Sequence, residues 1–260
     1  SGTNNGSDTF NGNTAGDGVV NTIRVESDGT LVGLNGFANG VDVIDVAGHA
    51  NVEVQGTGGN DTLDFSEVTF SNVGAGFEID GGNNNDVITT SNQTGGLNYR
   101  GGHGNDTFNI SASQAATFLY SGTNNGSDTF NGNTAGDGVV NSIRAESDGT
   151  IIGLNGFANG VDVIDVAGHA NVEVQGTTGN DVFDFSDVTF SNVGAGFEVD
   201  AGNSNDTITA SNISAVSYRG GHGDDTLNAG DADATWLYTG ANNGSDTFTN
   251  NATGVSVAMA

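Results

Sequence analysis

The chain has 260 residues, and its 32 Asp and Glu side chains against four Arg give a formal net charge of −28. Such a polyanion cannot hold nucleic acid through phosphate neutralisation, and no run approaches the roughly 18 apolar residues of a membrane helix, so nucleic-acid binding and membrane insertion are excluded. The absence of cysteine excludes disulfide bonds, while an apolar content of 34% favours a packed chain over a disordered one.

The chain contains a long internal repeat. Residues 121–240 replay residues 1–120, the first 70 residues of the two copies differ at eight positions, and a third copy begins at Gly240 and soon diverges. We therefore predict repeat unit 1 at residues 1–120, repeat unit 2 at 121–240, and a partial third repeat or C-terminal strand at 241–260, all in one continuous solenoid. The near-identity indicates a recent duplication, so we expect the chain to be a piece of a longer array.

A shorter motif recurs inside each repeat. In the first copy it reads NNGSDTF, ANGVDVI, GTGGNDTL, GGNNNDVI and GGHGNDTF in chain order. Alignment on its aspartate gives eleven positions: Asp8, Asp42, Asp61, Asp86, Asp106, Asp128, Asp162, Asp181, Asp206, Asp225 and Asp246. A large apolar residue stands two places after each of them: Phe10, Ile44, Leu63, Ile88, Phe108, Phe130, Ile164, Phe183, Ile208, Leu227 and Phe248. The match at every position indicates a turn that is repeated along the chain.

The segments that enter these turns alternate between apolar and polar residues, as half-buried strands do. The predicted inward side chains are Val52, Val54, Phe77, Ile79, Leu97, Tyr99, Phe118 and Tyr120, and the predicted outward ones include Glu53, Glu78, Asp80 and Arg100. No comparable stretch shows helical periodicity, so we predict an all-β fold.

The spacing of the aspartates predicts how the strands are arranged. Successive aspartates are 34, 19, 25, 20 and 22 residues apart in the first copy and 34, 19, 25, 19 and 21 in the second. About 20 residues make one coil of two short strands and two turns, so we predict a parallel β-solenoid of the β-roll or β-helix kind, with coils stacked at roughly 4.8 Å. The longer gaps are predicted to be coils with surface insertions such as NTIRVESDGTLVG.

Stacked coils would align the motif aspartates in a column along one edge. Two like charges about 4.8 Å apart repel by roughly 1 kcal/mol in water and by several times that in a partly dry turn, and the chain has no lysine to relieve this repulsion. Ca²⁺ suits the column, because it takes about six to eight oxygens from carboxylates and backbone carbonyls, which glycine turns can bring together. We therefore predict Ca²⁺ as the cofactor, and a metal-free Asx turn is the alternative.

At two turns the resemblance to a known family is specific. GGHGNDTFN at residues 101–109 and GGHGDDTLN at 220–228 match every position of the G-G-x-G-x-D-x-U-x nonapeptide. In this the chain resembles the repeats-in-toxin (RTX) family, in which Ca²⁺ lies between the turns of a parallel β-roll. The resemblance implies that Asp106 and Asp225 are side-chain ligands and that carbonyls of these turns bind the ion. It assigns the shaping of the turns to Gly101, Gly102, Gly104, Gly220, Gly221 and Gly223.

Other turns match the nonapeptide in part. Partial matches surround four further predicted ligands and their glycines: Asp61, Asp86, Asp181, Asp206, Gly56, Gly59, Gly81 and Gly82. The turns at Asp61 and Asp181 have threonine in the second place. Only a Gly-x-Asp-x-apolar core remains at the other predicted ligands: Asp8, Asp42, Asp128, Asp162 and Asp246. Because the full motif occurs about once per coil rather than in tandem, ions are expected along one edge.

Other polar residues are expected to have plainer roles. The histidines are predicted to be solvent-exposed turn residues rather than metal ligands: His49, His103, His169 and His222. Arg100 and Arg219 are predicted to neutralise neighbouring carboxylates. A second acidic set follows the motif by three residues and is predicted to form a solvated face, with additional calcium ligation as the alternative: Asp45, Asp64, Asp165 and Asp184.

These features predict a secreted, calcium-stabilised structural protein, as a segment of a cell-surface adhesin, a surface layer or an extracellular matrix fibre. The predicted partners are copies of the same chain, joined head-to-tail into filaments or side by side through calcium, and cell-surface polysaccharide. No Ser/His/Asp or Cys/His constellation stands out, so no enzymatic activity is predicted.

Three alternative functions remain open. One is a passive calcium-binding or secretion module of a larger toxin or hydrolase, and another is a polysaccharide-active β-helix. The third is an ice-binding solenoid, which requires a regular Thr/Asn array. Gly82 and Gly102 take the place of Thr57 in the next coils, which interrupts such an array.

Overall fold

The structure is a computed structural model, and it describes residues 6–10, 19–36, 40–132, 138–156, 160–239, 242–250 and 258–259. Within these ranges the chain forms 26 β-strands and no helix, so the all-β prediction is confirmed. No helical segment there is long and apolar enough to cross a membrane. The predicted start of a third copy at Gly240 lies outside the described residues, as do residues 241, 251–257 and 260 of the C-terminal segment.

Twelve of these strands begin before residue 121: Ser7–Asp8 (β1), Thr22–Arg24 (β2), Leu31–Leu34 (β3), Val43–Asp45 (β4), Glu53–Gln55 (β5), Thr62–Asp64 (β6), Thr69–Ser71 (β7), Glu78–Asn83 (β8), Val87–Thr89 (β9), Leu97–His103 (β10), Thr107–Asn109 (β11) and Ala116–Tyr120 (β12). Fourteen follow: Thr129–Asn131 (β13), Ser142–Ala145 (β14), Ile151–Gly153 (β15), Val163–Asp165 (β16), Glu173–Gln175 (β17), Val182–Asp184 (β18), Thr189–Ser191 (β19), Glu198–Asp200 (β20), Thr207–Thr209 (β21), Ser217–Arg219 (β22), Thr226–Ala229 (β23), Thr235–Trp236 (β24), Thr247–Asn250 (β25) and Ala258–Met259 (β26).

The first of two compact units comprises Ser1–Phe118 and Asn131–Asn133. Its strands form three sheets in the orders β1-β3-β5-β8-β10-β12, β6-β9-β11 and β2-β4-β7. The pairings are parallel and in register from coil to coil, as where Val54 pairs with Ile79. A parallel pair between consecutive coils is the defining feature of a solenoid, so the predicted architecture is confirmed in this unit.

The second compact unit comprises Leu119–Phe130 and Thr134–Ala260. Its sheets have the orders β15-β17-β20-β22-β24-β26, β18-β21-β23-β25 and β14-β16-β19, again with parallel pairing. The coils contain about 22 residues, close to the predicted length. The second unit is therefore also a parallel β-solenoid.

Apolar side chains alternate into the interior of each unit. The predicted inward residues are all at most 3% exposed: Val52, Val54, Phe77, Ile79, Leu97, Tyr99, Phe118 and Tyr120. Nine of the eleven apolar residues that follow a motif aspartate are also buried. The exceptions are Phe10 and Phe248, in the motif copies nearest the two chain ends. Burial therefore depends on stacking, because a single coil cannot cover its own apolar residues.

The 34-residue intervals between aspartates contain strands of their own. Residues 21–33, predicted to be a surface insertion, provide β2 and most of β3. Strand β2 pairs with β4 so that Ile23 lies beside Ile44. In the second unit the matching interval provides β14 and β15, whose Ile143 and Ile152 are fully buried. These intervals therefore add strands to the stack, because their few apolar residues occupy positions that stacking buries.

Candidate metal sites along the aspartate column

Seven motif aspartates lie at equivalent places, each immediately before a strand of one sheet in its unit. They form the aspartate column: Asp61, Asp86 and Asp106 in the first unit, and Asp181, Asp206, Asp225 and Asp246 in the second. Within each unit the backbone N–H of one member donates to Oδ1 of the next at 2.7–2.9 Å. The predicted stacking of these seven aspartates is therefore confirmed.

A second ladder of hydrogen bonds runs beside the column in the opposite sense. It uses the residue just before each aspartate: Asn60 Oδ1 accepts the N–H of Asn85 at 3.1 Å, and Asn85 Oδ1 accepts the N–H of Asn105 at 2.9 Å. The second unit repeats this pattern, with Asn205 Oδ1 accepting the N–H of Asp224 at 2.9 Å. Each coil is thus tied to both neighbours by adjacent residues of one turn.

The interior members of the column are removed from water. Asp86, Asp106, Asp206 and Asp225 are at most 2% exposed. Burial, with a contribution from neighbouring aspartates, raises the pKa of Asp86 and of Asp206 to about 7. Burial also raises the pKa of Asp106 to about 6 and raises the pKa of Asp225. These shifts mean that the ionised form of each buried carboxyl group is energetically unfavourable.

Three of these carboxylates have an oxygen that accepts no hydrogen bond from the described residues. Oδ2 of Asp86, Asp206 and Asp225 is buried and has no hydrogen-bond partner among the described residues. Asp86 Oδ2 and the carbonyl oxygen of Gly101 both lie within 2.7 Å of the point that a Cβ of Gly81 would occupy. Two electron-rich oxygens thus face one small space with no donor between them. Such an arrangement is costly, because buried polar atoms normally have partners.

Glycine is required where the chain passes closest to the column. A Cβ on Gly101 would collide with the carboxylate of Asp106, and one on Gly220 would collide with that of Asp225. Gly104 and Gly223 have φ angles of +129° and +135°, which other residues rarely adopt. The predicted turn-shaping role of these glycines agrees with this geometry.

Threonine supplies the missing donors at the first column member of each unit. Asp61 Oδ2 accepts hydrogen bonds from the N–H of Thr57 at 2.5 Å and from its hydroxyl at 2.8 Å. The same two bonds join Thr177 to Asp181 at 2.7 and 2.9 Å. The threonine in the second place of these turns therefore supplies two hydrogen-bond donors to the aspartate.

Tyrosine supplies the donor at two further motif aspartates. The Tyr120 hydroxyl donates to Asp128 Oδ2 at 2.5 Å, and the Tyr238 hydroxyl donates to Asp246 Oδ2. Sequence reasoning predicted Tyr120 only as a core residue and missed this bond. The spacing was an available signal, because both tyrosines precede their aspartate by eight residues. Tyr99 precedes Asp106 by one residue fewer, and its hydroxyl instead accepts the N–H of Ser91.

Of the other four motif aspartates, Asp128 lies just before β13, and the remaining three lie outside the column. Asp42 and Asp162 lie just before β4 and β16, where Oδ2 accepts the backbone N–H of Asn21 at 2.8 Å and of Asn141 at 2.9 Å. Asp8 lies within β1, is exposed, and pairs in register with Leu34. The predicted alignment of all eleven aspartates along one edge is wrong for these three, because the 34-residue intervals contain extra strands.

The arginines on the outer surface contact carboxylates, as predicted. Arg100 Nη2 lies 3.4 Å from Glu78 Oε2. In the second unit Arg219 Nη2 donates to Glu198 Oε2 at 2.9 Å, and its Nε lies 3.2 Å from Asp200 Oδ2. These arginines neutralise the outer row of acids.

The second acidic set lies in turns. Asp45 Oδ1 accepts the N–H of Ala47 at 3.0 Å, and Asp64 Oδ1 accepts the N–H of Ser66 at 3.0 Å. Their second-copy counterparts bond in the same way: Asp165 to Ala167 and Asp184 to Ser186. His103 and His222 are exposed, as predicted, whereas His49 and His169 are half-buried. The second acidic set therefore takes part in the hydrogen bonding of its turns.

The donor set around the column suits a hard cation. Among the described residues, no three or more His, Asp or Glu side chains converge on one point as a metal site. A cation at Asp86 would therefore be held by one carboxylate from a coil, with backbone carbonyls completing its shell. An all-oxygen set of this kind fits Ca²⁺ better than Zn²⁺, which takes mainly nitrogen and sulfur ligands. The column positions that retain an unpartnered oxygen fit it best.

No protein-family model matches this chain, and no curated protein and no solved structure matches it either. The resemblance to the RTX family is carried by the two complete nonapeptides. The parallel solenoid is consistent with the β-roll fold that the resemblance implies.

Proposed function

We propose that this chain is an extracellular, calcium-stabilised β-solenoid with a structural role, as a segment of a cell-surface adhesin, a surface layer or a matrix fibre. The observation that carries the proposal is the buried, unpartnered Oδ2 of Asp86, Asp206 and Asp225. Because the feature occurs in both units, it belongs to the repeat itself rather than to a single specialised centre.

A cation at these oxygens would couple metal binding to folding. The sites are assembled only when coils stack, since Asp86 and the carbonyl of Gly101 come from consecutive coils. A ligand that binds only the folded state stabilises it by mass action. Turn sites of modest affinity are filled where calcium is millimolar, as it is outside cells. This supports an extracellular location.

A scaffold role is favoured over catalysis by the way the polar residues are used. Arg100 and Arg219 contact the outer acids Glu78 and Glu198, in equivalent places of the two units. Duplicated, mutually neutralised groups are what a repeated surface needs, whereas a catalytic centre needs a distinct cluster on one coil. The chain also has no lysine.

Self-association is the proposed route from one chain to a filament. A solenoid ends in strands with unpaired edges, which join to further strands unless they are covered. Near the C-terminal end, β26 pairs with β24 of the same chain and so extends the stack. Light scattering in calcium would show growing particles if the chains join, whereas a stable monomer would favour the passive calcium-binding module of a larger protein.

Thermal unfolding followed by circular dichroism tests the calcium proposal. The expected result is a higher melting temperature in millimolar Ca²⁺ than in EDTA, with the increase rising with calcium concentration. Sodium chloride at the same ionic strength is the control for simple screening of the net charge. Equal melting temperatures in calcium and EDTA would refute calcium stabilisation.

A further inference from the structure

Two kinds of turn occur along the aspartate column. In the threonine turns, which contain Thr57 and Thr177, the second residue directs both its N–H and its hydroxyl to Oδ2 of the column aspartate. In two glycine turns, which contain Gly82 and Gly202, the same N–H points elsewhere. Oδ2 of the aspartate therefore accepts two hydrogen bonds from the second residue in the threonine turns, whereas in these two glycine turns the N–H of that residue donates elsewhere.

The N–H groups of Gly82 and Gly202 each donate to a different aspartate, two residues earlier in the chain. The N–H of Gly82 donates to Asp80 Oδ1 at 2.9 Å, and the N–H of Gly202 donates to Asp200 Oδ1 at 3.0 Å. Gly82 and Gly202 have φ angles of +109° and +104°, a conformation that threonine rarely adopts. In the threonine turns the residue two places before the threonine is glutamine rather than aspartate, at Gln55.

The consequence is a difference in charge compensation within one column. Asp181 Oδ2 receives two hydrogen bonds from Thr177, whereas Asp206 Oδ2 in the next coil receives none from the described residues. Hydrogen bonds to a carboxylate are stronger than those between neutral groups, and two of them relieve much of the cost of burial. They also occupy the side of the carboxylate that a cation would approach.

We propose that Thr57 and Thr177 are built-in substitutes for a cation, so that Asp61 and Asp181 bind no metal while Asp86, Asp206 and Asp225 do. This inference rests on the proposed calcium binding and adds a rule: the second residue of each turn decides whether its aspartate is neutralised by the chain or by an ion. At the last column member the donor comes from outside the second place of the turn: the hydroxyl of Tyr238, eight residues before Asp246, donates to Asp246 Oδ2.

Substitution of Thr177 by glycine in the full chain tests the rule. Thr177→Gly removes the hydroxyl and allows the positive φ of a glycine turn, so about one additional calcium ion per chain is expected. The ions are counted by elemental analysis after equilibrium dialysis, with circular dichroism in calcium to verify folding. Thr177→Ser is the matched control, because serine keeps both donors, and its calcium count is expected to equal that of the wild type.

Melting measurements without metal test the role of threonine independently of the proposed calcium binding. In EDTA, Thr177→Val keeps the N–H but loses the hydroxyl, so its melting temperature is expected to fall several degrees below that of Thr177→Ser. If Thr177→Gly binds no extra ion and Thr177→Val melts like Thr177→Ser, the inference is overturned. If the wild type binds no calcium but Thr177→Val is less stable than Thr177→Ser, calcium binding fails and the neutralising role of threonine stands.

Discussion

Replacing Asp206 by asparagine is expected to change stability in opposite directions with and without calcium. Asparagine keeps the carbonyl oxygen that accepts the N–H of Asp181 at 2.7 Å, and it removes the charge from the unpartnered side of the group. The wild-type aspartate is only 2% exposed, and burial raises its pKa from 3.8 to about 7. The substitution therefore removes an unfavourable charge in the metal-free protein and a ligand in the calcium-bound protein.

The magnitude follows from the pKa of Asp206. A shift of about three pKa units corresponds to roughly 4 kcal/mol at about 1.4 kcal/mol per unit, so metal-free Asp206→Asn at pH 8 is expected to gain up to that amount. For a chain of this size each kcal/mol moves the melting temperature by about 2–4 °C. In calcium at about 100 times the dissociation constant, the wild type gains about 2.7 kcal/mol per site that the variant lacks.

The assay is thermal unfolding of both proteins at pH 8, once in EDTA and once in saturating calcium. Asp181→Asn is the matched control, because Asp181 Oδ2 accepts two hydrogen bonds from Thr177, which become weaker when the charged carboxylate is replaced by a neutral amide. This control is expected to be less stable than the wild type under both conditions, by about 1–3 kcal/mol. An Asp206→Asn variant that is less stable than the wild type in EDTA would refute the reasoning.

Two further predictions concern pH and the glycines. Asp86 has a folded-state pKa of about 7 against an ordinary value of 3.8, so its contribution to metal-free stability is fully present below pH 3.8 and is lost as the pH rises through about 7. Melting in EDTA across this window checks the direction, and a melting temperature that rises with pH would contradict it. Gly101→Ala is expected to lower both calcium affinity and melting temperature, because the added Cβ meets the carboxylate of Asp106. Gly81→Ala is expected to cost less, because the matching turn of the second unit accommodates Ala201, although the new Cβ would lie 2.6 Å from Asp86 Oδ2 before any adjustment; equal losses in the two variants, by calorimetry, would count against a specific role for Gly101.

The sequence by itself was enough to predict the solenoid and most of its core. Parallel stacking places each residue beside its counterpart one coil away, so a spacing of about 20 residues in sequence becomes a column in space. Asp86, Asp106 and the buried Phe108 were placed correctly on that basis. The strands within residues 21–33 were missed, because their apolar residues are few and become recognisable only once a neighbouring coil covers them.

Only the tertiary structure distinguished the members of the column from one another. Asp61 and Asp86 carry similar motifs, yet Thr57 donates hydrogen bonds to the first, whereas Oδ2 of the second has no donor among the described residues. The difference lies in where one backbone N–H points, which depends on the φ angle of the turn and on Asp80 being within reach of it. Residue identity and spacing predict that aspartates will stack, but the direction of each donor is decided when the coils pack together.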